Sequence, residues 1–209
     1  MTILYISGSP RQRSNTDYLL SSIMAQTGGE FIKLTDYDIK PCKSCWACLR
    51  MGTCVLNDDM TTTIMPKIVE ADAIVLGSPV FFNNVTAQMK SFIDRTWSVR
   101  GQLKDKIGAA VVVGRRYGAE GAITAINAFF LKHQMIIANR GISGIAFEPE
   151  SIKGDAESVN AAAKLGPRIL ELIAVLEQSP SLPIAGRKPG QSRPTPCSRP
   201  AQRACGYRL

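Results

Sequence analysis

The chain predicts an α/β protein: a doubly wound, five-stranded parallel sheet held in three layers between helices. Three observations lead there. Five short apolar runs recur along the chain, bounded by glycine or polar residues, as buried parallel strands are. Stretches with apolar residues at helical spacing separate them, and strict strand–helix alternation indicates a parallel sheet covered on both faces. Three loops leave strand ends at Gly8–Ser14, Ser78–Val85 and Gly114–Gly118, the latter two unusually polar or aromatic after such apolar runs. In doubly wound folds ligands bind at that edge, beside the switch in strand order.

Ile3–Ser7 is the first strand, ended by Gly8. Ser14 or Asn15 caps a helix with Leu19, Leu20, Ile23 and Met24 on one face. Glu30–Leu34 forms the second strand. Thr35–Asp58 has no clear period and carries four cysteines. Asp58 and Asp59 then place negative charge at the start of a helix with Ile64, Met65, Ile68 and Val69 inward. Ala73–Gly77 is the third strand. Thr86–Trp97 is helical, facing Met89, Phe92, Ile93 and Trp97 inward. Ile107–Val113 is the fourth strand, followed by a helix from about Gly118 to His133. Met135–Ala138 supplies the fifth strand. Asp155–Leu176 closes the fold as a long helix, with Leu165, Ile169, Leu172, Ile173 and Leu176 at helical spacing.

The segment SGSPRQRSNT after the first strand is neither a dinucleotide nor a Walker fingerprint. It nonetheless concentrates anion-binding groups. Ser7, Ser9, Ser14, Asn15 and Thr16 offer short polar side chains, and Arg11 and Arg13 add charge. The helix that starts there adds free N–H groups and a positive dipole end. A simple cap would need only one of these residues, so a terminal phosphate is the expected ligand.

Cys42, Cys45, Cys48 and Cys54 form a C-x2-C-x2-C-x5-C run. Three thiols at x2 spacing let one loop aim several ligands at one point, as iron–sulfur clusters require. Gly52 suits the turn that brings in the fourth, because it allows positive φ. Structural zinc usually takes two separated knuckles, which this spacing fits poorly. A [4Fe-4S] cluster, bare or redox-active thiols, and zinc all stay open on spacing alone, in that order.

GSPRQRSNT, then GSPVFFNNVTAQMKSFIDR, then GRRYG resemble, in kind and order, the three flavin loops of the NADPH-dependent FMN reductase superfamily. With the cysteine run added, residues 1 to about 176 resemble the iron–sulfur flavoproteins within it. The resemblance implies a flavodoxin-like fold, FMN, a [4Fe-4S] cluster and a homo-oligomer, dimer or tetramer, in which the two cofactors approach across a subunit boundary. It implies that Ser7, Ser9, Arg11, Ser14, Asn15 and Thr16 hold the FMN phosphate. Pro79, Val80, Phe81, Phe82 and Asn83 would line the ribityl chain and ring, and Gly114, Arg115, Arg116 and Tyr117 would border the ring's other side. A flavin ring needs flat apolar cover plus N–H groups at its polar edge. Phe81 and Phe82 also fit ordinary core filling, and Arg115 and Arg116 also fit subunit contacts. Trp46 and Trp97 fit cofactor shielding and packing equally. His133, at a helix end, reads as a partner for the helix dipole.

The net charge of +8 is unevenly placed. Residues 179–209 hold six of the 25 basic residues and no acidic one, leaving 19 against 17 in the remainder. The sequence thus divides into a flavodoxin-like FMN-binding domain at 1–178, with its cysteine loop at 36–60, and a basic tail at 179–209. The tail is rich in Pro, Ser and Gly and is expected to be disordered. Cys197 and Cys205, in this tail, lack ligand spacing. The basic tail fits contact with nucleic acid or an anionic surface less well than it fits a solvated appendage, no apolar run reaches membrane length, and no leader precedes the first strand; a cytoplasmic location is expected. The function expected is FMN-dependent electron transfer between FMN and the cluster, serving a partner such as a ferredoxin or a small-molecule acceptor, with NAD(P)H as a possible donor. The alternatives are a cluster-free NAD(P)H-dependent FMN or quinone reductase and a non-catalytic redox sensor. Electron transfer of this kind needs no general acid or base from the side chains.

Overall fold

The computed structural model describes residues 1–178. The tail at 179–209, with Cys197 and Cys205, lies outside the described residues. Six strands, not five, form the sheet: β1 (Ile3–Ser7), β2 (Glu30–Lys33), β3 (Ala73–Pro79), β4 (Ile107–Gly114), β5 (Ile136–Ile137) and β6 (Ile142–Ile145). Their order is β2-β1-β3-β4-β5, all parallel, with β6 also pairing β4. β5 pairs with Ile107 and Gly108, and β6 with Val111–Gly114. The fifth strand expected over Met135–Ala138 is therefore only the short β5, and an unexpected sixth strand, β6, shares its edge. The interruption between them has local causes: Asn139 Oδ1 accepts from the Gly141 N–H (3.1 Å), and Gly141 lies at φ +121°. Asx turns and glycine break a ladder in this way.

The helices are α1 (Asn15–Thr27), α2 (Ala47–Met51), α3 (Met65–Glu70), α4 (Ala87–Arg95), α5 (Ala119–Lys132) and α6 (Ala156–Gln178). Strand side chains alternate between two cores. Leu4, Ile6, Ile74, Leu76, Ala110 and Val112 meet α3, α4 and α5 on one face. Ile3, Tyr5, Ala73, Val75, Ala109 and Val111 meet α1 and α6 on the other. Each large apolar side chain taken out of water contributes roughly 1.5–3 kcal/mol. Leu165, Ile169 and Ile173 of α6 are buried and Leu172 partly so, as their spacing predicts, but Leu176 is exposed.

Two helices differ from expectation. The helix after Asp59 opens with a wide π turn, Met60–Ile64, before α3 begins. Pro66 has no N–H to continue the ordinary ladder there. The helix after Thr86 is α only to Arg95 and tightens to 3-10 geometry over Thr96–Val99. No described helix is long and apolar enough to cross a membrane. Strand order reverses at β1 and β3, so the loops after these two strands flank the switch point.

Candidate functional site

The first loop and α1 build a polar corner. The Gly8 N–H donates to the Gly77 carbonyl (2.8 Å), and its own carbonyl accepts from Thr86 Oγ1 (2.7 Å). A Cβ on Gly8 would stand 2.8 Å from Met89 Cβ, so only glycine lets β1 approach α4 this closely. Ser14 caps α1, its Oγ accepting from the Asp17 N–H (3.1 Å). The Asn15 and Thr16 amides precede the first intrahelical donor, so they remain available at the positive end of the helix. Ser9, Arg11, Ser14, Asn15 and Thr16 line one wall of a cavity of about 130 Å³.

Ser7 does not join them. It is fully buried, and its hydroxyl donates to Asp17 Oδ1 (2.5 Å) while accepting from the Ser9 N–H (3.1 Å). Asp17 is further paired with Lys33 (2.6 Å), and Lys33 also donates to the Arg11 carbonyl. This network fixes the loop from behind. The Asn15 side chain is likewise committed: its amide donates to the Glu148 carbonyl (2.8 Å) and its Oδ1 accepts from the Ile152 N–H (3.2 Å). Arg13 turns outward to Glu150 (3.4 Å).

The loops after β3 and β4 form the opposite wall. Pro79, Val80 and Phe81 line the cavity, as do Val113, Gly114 and Arg115. Phe81 and Asn84 exchange both backbone hydrogen bonds (2.8 and 3.0 Å) around Phe82 and Asn83, which lie at φ 51° and 62°. Two left-handed central residues make a primed turn. The turn thrusts Phe82 wholly into solvent and presses Asn83 onto the start of α5. Gly118 receives it at φ +82°, where a Cβ would meet Asn83 Oδ1 at 2.5 Å. Phe82, Asn83, Arg116 and Tyr117 therefore lie outside the lining, although the sequence groups them with it. Arg116 sits 5.8 Å from the Phe147 ring centre, and Tyr117 is exposed.

Ala146 and Phe147 line the cavity unanticipated, together with Pro10 and Val113. They follow β6, the strand the sequence also hid. The available signal was the alternation Ile142, Gly144, Ala146 before the turn Glu148-Pro149-Glu150. Among the lining residues the only ionisable side chains are Arg11 and Arg115.

The cysteine loop lies elsewhere. Cys42 and Cys45 are exposed, Cys48 and Cys54 half-buried, and all four are free thiols. Left-handed Ser44, Trp46 and Gly52 bend the chain, and Gly52 ends the short α2 by donating to the Cys48 carbonyl (3.0 Å). Among the described residues no three His, Cys, Asp or Glu side chains gather as metal ligands. By donor chemistry the loop fits an iron–sulfur cluster: four thiols from one segment, none spent on a disulfide or sealed in the core.

The base of this loop is clamped by an ion pair that the sequence did not reveal. Arg95 and Asp58 are both fully buried and meet through two hydrogen bonds (2.6 and 2.9 Å). Arg95 also donates to the Lys40 carbonyl (2.7 Å) and Thr61 Oγ1 (2.8 Å), and the Lys40 N–H donates to Asp58 (3.0 Å). Burial pushes the Asp58 carboxyl up, but the Arg95 hydrogen bonds, the Lys40 and Thr61 amides and the Arg95 charge outweigh it, and its pKa falls to about 2. Trp46 meets Trp97 edge-on (6.3 Å), beside Lys132. Thr86, before α4, touches the cavity loop, whereas Arg95 and Trp97, at the other end of α4, hold the cysteine loop. The nine residues of α4 span about 13 Å between these two ends.

Residues 1–150 match the family of NADPH-dependent FMN reductases. The chain belongs to that family. Within it, the chain is 38% identical over 194 residues to an iron–sulfur flavoprotein of Methanocaldococcus jannaschii, covering 85% of this chain and 100% of the relative. Membership makes this FMN reductase relative a flavin-dependent oxidoreductase with FMN as its cofactor. RosB, solved with bound 8-demethyl-8-formylriboflavin 5′-phosphate, superposes with a TM-score of 0.72 at 15% identity, over 100% of this chain and 96% of that one. A flavodoxin from the domain Archaea gives 0.56 at 18%, over 83% and 99%. At those identities the two structures establish the flavodoxin-like fold alone. The cavity suits the family's cofactor: helix amides and arginine for a phosphate, and Phe81 and Phe147 as flat apolar cover.

Proposed function

We propose that the chain is an electron-transfer flavoprotein that moves electrons between FMN in the cavity and a [4Fe-4S] cluster held by Cys42, Cys45, Cys48 and Cys54. The observation that carries it is the cavity lining, which contains no carboxylate, histidine or cysteine. With no side chain there to take or give a proton, redox chemistry falls to the cofactor, and flavin supplies both one- and two-electron steps. The chain's own part is binding and position. The Asn15 and Thr16 amides, with Arg11, hold the phosphate; Val80 and Val113 exclude water; Phe81 and Phe147 cover the ring. Ser7 and Asn83 act behind this surface, as supports. Both sites belong to residues 1–178. The resemblance to the iron–sulfur flavoproteins favours a homo-oligomer, dimer or tetramer. A ferredoxin-like carrier or a small-molecule acceptor completes the circuit in a reducing, cytoplasmic setting.

A cluster-free NAD(P)H-dependent reductase of FMN or quinones is favoured instead by one observation: the four thiols are not drawn together. Anaerobic purification with iron supplied, followed by iron, sulfide and flavin assays, separates the two. Changing any of the four cysteines to Ala is expected to remove most iron and sulfide while FMN stays, because the flavin loops belong to the sheet scaffold. Changing Cys197 or Cys205 is expected to leave metal content alone. An iron-free, yellow wild-type protein would establish the reductase, and negligible turnover with any acceptor would point to a sensor.

A further inference from the structure

The Arg95–Asp58 pair raises a question of purpose. A fully buried ion pair costs several kcal/mol in desolvation per ion, and apolar replacements of the same volume are often no less stable. Its position is therefore informative. Its hydrogen bonds run between the guanidinium or the carboxylate and the two ends of the cysteine loop: the Lys40 carbonyl and amide on one side, Asp58 and Thr61 on the other. Asp38 and Asp59 repeat the closure one step further out, through the Asp38 N–H to Asp59 Oδ2 (2.7 Å) and the Asp59 N–H to the Asp38 carbonyl (3.1 Å). Cys42 lies two residues inside this clamp and Cys54 four residues inside it.

The guanidinium also has something left over. Its Nε–H is buried and has no partner among the described residues. Of the four thiols, Cys54, half-buried near the loop's base, is the one that bears on this guanidinium. A buried donor without a partner is expensive and rare. Here it belongs to the guanidinium nitrogen that Asp58 leaves unused, in a side chain that clamps the base of the cysteine loop.

We propose that Arg95 is a positioning residue for the metal centre: held rigid by Asp58, it fixes the Cys54 sulfur at the loop's base and donates a hydrogen bond to it when that sulfur ligates the cluster. The inference rests on the cluster assignment above. Its physical content is specific. A donor to a ligating thiolate stabilises the more negative, reduced cluster, so it raises the reduction potential. Lys in the same place keeps the positive charge against Asp58 but has neither the planar fork nor an Nε–H. Asp58 acts one step further back, holding the guanidinium.

The test uses the FMN-loaded protein, reconstituted anaerobically with ferrous iron and sulfide. Wild type, Arg95→Lys and the charge-neutral pair Arg95→Gln with Asp58→Asn are compared for iron content, FMN content and cluster potential by EPR-monitored redox titration. Arg95→Lys is expected to retain FMN and either to bind a cluster of distinctly lower potential or to lose iron selectively. If Arg95→Lys loses FMN too, and so has not folded, the double variant supplies the same readouts. A variant with wild-type iron content and an unmoved potential overturns the proposal while leaving the cluster assignment standing. Wild-type protein that takes up no iron overturns both.

Discussion

His133 shows how one side chain's surroundings reverse its expected role. Its place at the end of α5 suggests a charge set against the helix dipole. Instead it is buried, its Nε2 shares a hydrogen bond with Thr96 Oγ1 (3.0 Å), and its ring lies 4.8 Å from Phe129. Burial first, then the Lys132 charge, lower its pKa to about 4. The folded value is below the unfolded one, so its contribution is fully present above pH 6.5 and is lost as pH falls toward 4. His133→Phe is expected to reduce the stability lost across that window by roughly 2–4 kcal/mol, read from denaturant midpoints at several pH values. Equal pH slopes in the two proteins would remove His133 as their source. Gly118 is the second residue with a sharp expectation. At φ +82°, and with Asn83 against it, Gly118→Ala is expected to cost about 1–3 kcal/mol and to weaken FMN binding, since it displaces the turn beside Phe81. Gly28→Ala is the control: φ is +68° but nothing lies within 4 Å, so flavin affinity is expected to hold.

Among the elements, α1 joins the cavity directly to the core. Its cap, its first two amides and Arg11 converge on the cavity, while Leu19, Leu20 and Ile23 anchor it to the sheet. Combining Arg11→Ala with Ser14→Ala is expected to weaken FMN binding by roughly 1.5–3 kcal/mol for each charge-assisted hydrogen bond removed, and to cost about 1 kcal/mol of stability through the cap. Unchanged affinity in a flavin fluorescence titration would rule out this loop as the phosphate site. Ser7→Ala gives the contrast, because that hydroxyl serves Asp17 and not the cavity. The start of α1 was legible in sequence because a cap and its helix lie within a few residues of each other. The commitment of Asn15 to Glu148 and Ile152 was not, because those partners lie more than 130 residues away.

Across the whole molecule, α4 links the two sites and the Arg95–Asp58 pair ties the cysteine loop to the core. Asp58 has a folded pKa of about 2 against an ordinary 3.8. Its stabilisation, on the order of 2 kcal/mol, is thus present above about pH 4 and is lost as pH falls through 2. The cysteine loop is expected to open before the sheet does. Limited pepsin digestion at about pH 2 is expected to cut first within residues 36–60, and at about pH 4 to spare them. First cuts elsewhere at the lower pH would show that the pair does not govern the loop.

By itself the sequence determined the layered α/β fold, the helix that begins at Ser14 and the loops that meet in the cavity. Those features rest on local patterning: apolar runs, helical spacing and capping residues each write their structure within a few positions. The tertiary structure decided what depends on distant neighbours. It set an unforeseen sixth strand beside the short fifth and brought Phe147 to the cavity. It sent Phe82 into solvent and turned Ser7 and Asn15 into supports. It also joined Asp58 to Arg95, residues the sequence read only as a helix-start charge and as part of an amphipathic helix. A side chain's role follows from which partner's field or carbonyl it meets after packing, and that meeting has no signature in the residues on either side of it.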